Sequence, residues 1–319
     1  MRPLILSSLV SFAISSVVDC SVFTHQQSLP QSAALLQIST TKRYSSEGKQ
    51  WVGEDTKLEL SKIVRDDETN CSYDESVARR NEGSAGTQLK LIHITKTGGT
   101  SVECWGRRHG FFWGWYWPEL RNATDLRGNL SPFSRNIQSE AWHVPPRFFH
   151  KDPYKGYDVF AVVRDPYARA ISEFRCPWFG FHGHFQEGKE KMGSDVALAL
   201  RAAATADDLN GWILKKLLKG TARPPFVSGH MVPQYLYVFG ENGQRQVPEE
   251  NVLRMEQLDR DFADLLARYN ITGGPLIHIN DPSMKQFGVE DLSGKARQLI
   301  EEEYSEDFRY FGYPKFSGA

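Results

Sequence analysis

The alternation of apolar and polar positions divides the chain into two parts. Before residue 87 no period of 2 or 3.6 is sustained, whereas from Leu89 onward short apolar runs alternate with stretches of helical period. Leu89, Leu91, Ile92 and Ile94 mark a first strand. Val159 to Val163 is a continuous apolar run, as expected for a strand buried on both faces of a parallel sheet. Leu258, Phe262, Leu265, Leu266 and Tyr269 fall at i, i+4, i+7, i+8 and i+11, the core-facing stripe of one helix, which Asn270 and Gly273-Gly274 end. Ala197–Leu218 reads as helical, in two pieces about Gly211, and Ser293 can cap a last helix reaching Tyr304. Strands alternating with helices predict an α/β domain with a mostly parallel sheet.

The chemistry gathers where the first two strands end. Residues 91–101 read Leu-Ile-His-Ile-Thr-Lys-Thr-Gly-Gly-Thr-Ser, a strand running into a glycine turn, after which Val102-Glu103-Cys104-Trp105 can begin a helix. That order builds an anion cradle. Backbone N–H groups point outward at a helix N-terminus, and glycine lets them close on a phosphate without a Cβ in the way. Lys96 adds a charge, and Thr97, Thr100 and Ser101 add hydroxyls beside Gly98 and Gly99. The loop is not a Walker A motif, in which lysine follows the glycines. Residues 157–174 repeat the arrangement. Arg164 stands at the carboxyl end of the second strand, Asp165 is an N-cap, Pro166 opens a helix, and Arg169, Ser172 and Glu173 recur at helical spacing. Ligands of open α/β sheets sit beyond the carboxyl ends of the strands, so Arg164 and Ser172 can face a second phosphate of the same ligand. A structural Arg–Asp pair closing the junction is the competing reading.

Together the two segments resemble the sulfotransferase superfamily, and more closely its carbohydrate sulfotransferases of the heparan-sulfate type than the cytosolic enzymes. The resemblance spans roughly residues 87–315. It continues through Val232-Pro233-Gln234, Val252–Leu258, Ile277-His278-Ile279-Asn280 and the tail Tyr304–Tyr313. One departure is Thr95, where the family usually carries proline. The resemblance implies a P-loop-like three-layer fold with a central, mostly parallel sheet flanked by helices. It implies 3′-phosphoadenosine 5′-phosphosulfate as co-substrate, with Lys96, Thr97, Gly98, Gly99, Thr100 and Ser101 at the 5′-phosphosulfate and Arg164 and Ser172 at the 3′-phosphate. No metal is required by that scheme. The acceptor hydroxyl needs a base, and related enzymes carry an active-site histidine between the two motifs. His143 fills that place, its imidazole titrating near neutrality, with Glu140 and His150 as substitutes. His93 reads as a packed strand residue, and His182, His184 and His230 as weaker acceptor-side groups. The expected acceptor is a glycan, an acidic polysaccharide or a glycoprotein glycan. A nucleotide kinase or NTPase using ATP and Mg²⁺, or an inactive glycan-binding relative, are the alternatives.

Composition narrows the setting. A net charge of −1 with 40% hydrophobic residues among 319 excludes a disordered chain and bulk nucleic-acid binding. Arg107-Arg108, Lys189 with Lys191, and Lys215, Lys216, Lys219 and Arg223 are the local basic groups available to an acidic acceptor. Phe111-Phe112-Trp113-Gly114-Trp115-Tyr116-Trp117 is either core or a platform for sugar rings. Leu4–Val18 is apolar or small, shorter than the ~20 residues of a spanning helix, and suits a signal-peptide core with Val18-Asp19-Cys20 as cleavage site. Residues 1–22 are thus a signal peptide or signal-anchor, 23–86 a largely disordered stem with a few helical turns around Leu58–Val64, and 87–319 the sulfotransferase domain. Sequons at Asn70, Asn122, Asn129 and Asn270 agree with entry to the secretory pathway, to the Golgi lumen on a membrane anchor or outside the cell after cleavage. Of four cysteines, Cys104 and Cys176 are the pair that could lie near the donor, although spacing fixes no connectivity; no C-x-x-C or Cys/His cluster suggests zinc.

Overall fold

The computed structural model describes residues 71, 88–122, 139–149, 151–183, 194–224, 226, 228–279 and 286–316. The proposed leader, the stem apart from Cys71, its helical turns, and the sequons at Asn70 and Asn129 lie outside them. The elements run β1 (Leu89–Ile92), α1 (Gly99–Arg108), α2 (Pro118–Asn122), β2 (Asp158–Val163), α3 (Pro166–Phe174), α4 (Ser194–Ala202) and α5 (Ala206–Leu218). A single turn α6 (Tyr235–Val238), β3 (Val252–Arg254), α7 (Leu258–Arg268), α8 (Gly294–Glu303) and α9 (Ser305–Phe311) follow. Among the described residues no helix is long and apolar enough to cross a membrane.

The three strands form one parallel sheet in the order β1-β2-β3, with Leu89 opposite Asp158 and Ala161 opposite Val252. Strand alternation sends successive side chains to opposite faces. Leu89, Leu91, Phe160, Val162 and Leu253 pack on one face with Val102 and Trp105 of α1 and Phe262 and Leu265 of α7. Ile92, Ala161 and Val163 face the other side, against Val144, Phe148, Tyr237 and Val238. A third cluster joins α3, α5, α8 and α9 through Tyr167, Ile171, Leu209, Ile213, Ile300 and Phe308. The α/β expectation, a parallel sheet covered by helices, is met.

Local signals place most boundaries. Asp165 Oδ1 accepts from Ala168 N at 2.9 Å and Pro166 takes the first helical position of α3. Ser293 Oγ accepts from Ala296 N at 3.2 Å to start α8. Leu258, Phe262, Leu265 and Leu266 form the buried stripe of α7, and Asn270 ends it with φ 51°. The break between α4 and α5 differs from expectation. Gly211 lies inside α5, while Thr205 and Asp208 form a reciprocal capping box that starts a new helix. Two side-chain bonds to orphan backbone N–H groups outweigh the small cost of one interior glycine.

Candidate active site

The first loop leaves β1 at Ile92 and turns through two left-handed residues, Lys96 at φ 65° and Gly98 at φ 84°, before α1 begins. Glycine is needed at 98 for φ and for space, since a Cβ there would lie 2.8 Å from Met255 Sδ. At Gly99 a Cβ would come within 2.2 Å of His93 Nε2. His93 therefore lies just past β1, directly beneath the loop. Its ring is pinned by a 2.6 Å bond from Nδ1 to the buried carboxylate of Glu103 on α1. It is packed, as its sequence position suggested, but it is packed into the site.

The loop's groups divide by what already holds them. Thr97 Oγ1 donates to Ile94 O at 2.8 Å, so that proton shapes the loop. Ser101 N and Val102 N donate to Gly98 O at 3.1 and 3.2 Å. The amides of Gly98, Gly99 and Thr100 have no backbone acceptor among the described residues. Ser101 Oγ accepts from Ile279 N at 3.0 Å, which leaves its own proton to donate. Thr100 is exposed.

The second segment meets the first directly. Arg164 Nη1 donates to Lys96 O at 3.2 Å. The peptide of Arg164 is held by Gln234, whose Oε1 accepts from Arg164 N and whose Nε2 donates to Arg164 O, both at 2.9 Å. Glu256 accepts from Asp165 N at 2.7 Å. Burial lowers the pKa of Arg164 and Glu256 opposes that shift, yet a guanidinium titrates so high that it stays charged. One turn further on, buried Arg169 ties the segments together: Nε donates to Thr95 O at 3.0 Å, and Nη2 reaches Thr95 Oγ1 at 3.1 Å and His230 O at 3.2 Å. The family's usual proline could not offer that hydroxyl. Thr95 in its place joins the lock and lies 3.2 Å from Gly229 O. Ser172, half-buried, lies two turns into α3.

Three imidazoles line up beside the loop. His143 sits on a 3-10 turn with its ring edge-on to His93, centroids 4.8 Å apart, and to His230, centroids 5.3 Å apart. The outer two each bond a buried glutamate through Nδ1, His93 to Glu103 and His230 to Glu173 at 2.9 Å. The central one differs. His143 Nδ1 is buried, has no hydrogen-bond partner, and stands 3.4 Å from Glu140 Oε2. Burial pushes the His143 imidazole down to about 3 against the pull of Glu140, with His93 and His230 adding to the fall, so it is neutral at physiological pH. His230 goes the other way. Burial opposes its charge, but Glu173 and Cys176 outweigh burial and push it up to about 9. His150 and His184 lie outside the described residues.

Spacing did not show the surroundings of Cys176. The disulfide joins Cys71 to Cys104, and Cys176 is a free, buried thiol. Burial and Glu173 act to raise its pKa, but Lys96 and His230 prevail and lower it. The ligand-type atoms of Glu173, Cys176 and His230 lie within 4.8 Å of one another, the group among the described residues that could hold a metal ion. No linear motif marks it, because His230 arrives from a separate turn.

The aromatic run splits by alternation. Phe111, Trp113 and Trp117 are core, whereas Phe112 and Trp115 are exposed. Trp115 N donates to Glu103 Oε1 at 3.0 Å, and a Cβ at Gly114 would lie 1.6 Å from that oxygen. The loop is thus seated on the carboxylate that holds His93. Of the basic groups, Arg107 covers the Tyr116 ring at 4.6 Å, Arg223 pairs with Glu303, and Lys215 and Lys219 are exposed along α5. Lys189 and Lys191 are outside the described residues.

The segment that holds this arrangement, a left-handed lysine–glycine loop and an arginine-opened helix at adjacent strand ends, falls within a known family. A family model described as the sulfotransferase family matches residues 87–314, most of the chain. The protein belongs to that family, whose members transfer sulfuryl groups and generally take them from 3′-phosphoadenosine 5′-phosphosulfate. No curated protein and no solved structure matches the chain.

Proposed function

We propose that the protein transfers the sulfuryl group of 3′-phosphoadenosine 5′-phosphosulfate to a hydroxyl of a glycan, with His143 as general base. The observation that carries this reading is the contact between Arg164 and the Lys96 carbonyl, which makes one site of the two anion-binding segments. The amides of Gly98, Gly99 and Thr100, with the Ser101 hydroxyl, face the 5′-phosphate. Gly98 and Gly99 fit that role because Gly98 takes a left-handed φ of 84° and a Cβ at Gly99 would lie 2.2 Å from His93 Nε2, on a ring held by Glu103. Arg164 and Ser172 hold the 3′-phosphate, which separates this donor from ATP.

The chemistry is an in-line displacement at sulfur. The acceptor oxygen forms a new S–O bond, the bond to the 5′-phosphate oxygen breaks, and the acceptor proton leaves to the base. Like phosphoryl transfer, it is governed by positioning and charge stabilisation. Lys96 stabilises the charge that grows on the departing oxygen. His143 suits the base because it is neutral, its Nδ1 is unpartnered, and its neighbours His93 and His230 are fixed by carboxylates. A buried base of low pKa gains strength once a developing oxyanion–imidazolium pair replaces water around it.

Its place in the cell follows from the leader and sequons. We assign it to the secretory pathway, in the Golgi lumen or secreted, with any membrane association through the N-terminal segment. The kinase reading is less well supported because lysine precedes the glycines. Intact Lys96, Arg164, Ser172 and His143 weigh against an inactive relative. Radiolabelled sulfate transfer to a panel of polysaccharides tests the reading. Label on a sugar hydroxyl supports it, and hydrolysis of ATP with no transfer refutes it.

A further inference from the structure

The cluster of Glu173, Cys176 and His230 takes no part in the proposed transfer, and what it can bind goes beyond that reading. Glu173 stands in the last turn of α3 and Cys176 just past its end, whereas His230 comes from the separate turn Gly229–Met231. The fold brings one ligand-type atom of each side chain to within 4.8 Å of the other two. All three are buried, Glu173 and Cys176 to 2% exposure and His230 to 7%. Their backbones are already held. Cys176 N donates to Glu173 O at 2.9 Å, His230 N donates to Ser228 Oγ at 3.1 Å, and Arg169 Nη2 donates to His230 O at 3.2 Å. A set of ligands fixed before binding loses little conformational freedom when an ion arrives.

We propose that Glu173, Cys176 and His230 form a transition-metal site, suited above all to Zn²⁺, with a fourth position for water. Thiolate, imidazole and carboxylate are the donors zinc takes, whereas Mg²⁺ and Ca²⁺ prefer oxygen throughout. In a tetrahedral site these atoms stand about 2.0–2.3 Å from the ion, and so roughly 3–4 Å from one another. The 2.9 Å between His230 Nδ1 and Glu173 Oε2 and the 4.8 Å limit for the group bracket that spacing, which small side-chain rotations complete. Charge also balances. A carboxylate and a thiolate match a dication, with the imidazole neutral and the thiol proton released to solvent. Lys96 acts on Cys176 through space and opposes a second cation there, but direct bonds to three ligands outweigh that one charge. Cys176 remains a thiol while Cys71 and Cys104 are joined, so its sulfur is available to a metal. A hydrogen-bonded trio without metal is the competing arrangement, and it differs in leaving Cys176 blind to added ions.

Cobalt titration of the full-length chain carrying Cys20→Ser tests this. In that chain Cys176 is the one cysteine outside the Cys71–Cys104 disulfide, so any cobalt–thiolate charge-transfer band reports it. The expected result is a near-ultraviolet band that saturates at one Co²⁺ per chain and is abolished by Zn²⁺. Zinc-edge X-ray absorption of the same chain should show one sulfur at about 2.3 Å among nitrogen and oxygen neighbours. Glu173→Gln and His230→Gln should each weaken Co²⁺ binding by roughly tenfold or more. Absence of the band, a zinc shell without sulfur, or undiminished affinity in both substituted chains overturns the site. The first two readouts leave the cluster intact, so they decide the matter even where a variant does not fold.

Discussion

Arg164 and Lys96, 68 residues apart, meet through a 3.2 Å bond from the guanidinium to the lysine's carbonyl oxygen. The contact has two effects. It fixes the peptide next to a left-handed residue, where a non-glycine backbone is otherwise costly. It also places the second segment's cation beside the loop that carries Lys96, as the proposed bridging nucleotide requires.

On the proposed mechanism Lys96 stabilises charge that appears only as the donor's S–O bond breaks. Lys96→Ala is therefore expected to lower kcat by ~10²–10³ with a much smaller change in acceptor KM. Rapid-quench measurement of the sulfuryl-transfer step checks this. A loss confined to KM would reassign Lys96 to ground-state binding.

On the proposed mechanism His143→Ala removes the base and leaves the residues of the donor loop in place. Turnover should fall by ~10²-fold or more while adenosine 3′,5′-bisphosphate binds as before. Near-normal turnover, measured beside a Glu140→Gln control, would pass the role to another group.

His143 and its neighbour His230 make stability depend on pH, and the signs are opposite. His143 has a folded pKa of about 3, below its unfolded value of about 6.5, so protonation favours unfolding. Stability is full above about 6.5 and declines as pH falls toward 3. His230, raised to about 9 between Glu173 and Cys176, contributes stability that is complete below about 6.5 and is lost as pH rises through 9. Urea unfolding from pH 5 to 10 should show a maximum at about pH 6.5. His230→Asn should flatten the alkaline side; an unaltered alkaline slope would place the titration elsewhere.

Arg169 is a structural tie between the two anion-binding segments. Its guanidinium is buried; burial pushes the buried Asp307 carboxyl up to about 6, and Arg169, with hydrogen bonds from Gln234 and Tyr235, opposes that rise. Arg169→Ala should destabilise the domain by about 1–3 kcal/mol, read by urea denaturation, because it leaves the buried carbonyl oxygens of Thr95 and His230 without their donor. Arg169→Lys should recover little, since an ammonium cannot reproduce the forked contacts to Thr95 and His230.

Much of the fold was legible in the chain because the signals were local. The continuous run Val159–Val163, the Asp165-Pro166 start and the stripe ending at Tyr269 each encode their own element. The two strand–turn–helix segments were legible for the same reason, as each lies in one stretch of chain. The parts that were not legible depend on distant neighbours. His93 lies at a strand end and reads as packing. Only the arrival of Glu103 and Gly99 around it shows that it supports the loop. Gln234 contacts Arg164 across 70 residues, and Glu173 meets His230 across 57, separations that carry no periodic trace. The partner of Cys104 came from the far N-terminal side at Cys71, and the aromatic run divided into core and surface according to which way a rigid loop turned each ring.

The central claim is that one adenosine nucleotide bridges Lys96 and Arg164, and titration calorimetry on Arg164→Ala tests it most directly. Paired isotherms would use adenosine 3′,5′-bisphosphate and its 3′-dephospho analogue. The account predicts roughly 10- to 100-fold weaker binding of the bisphosphate and little change for the analogue, the loss of charge-assisted bonds to one phosphate. Equal losses for both nucleotides, or tighter binding of ATP–Mg²⁺ than of the bisphosphate by the wild type, would contradict it.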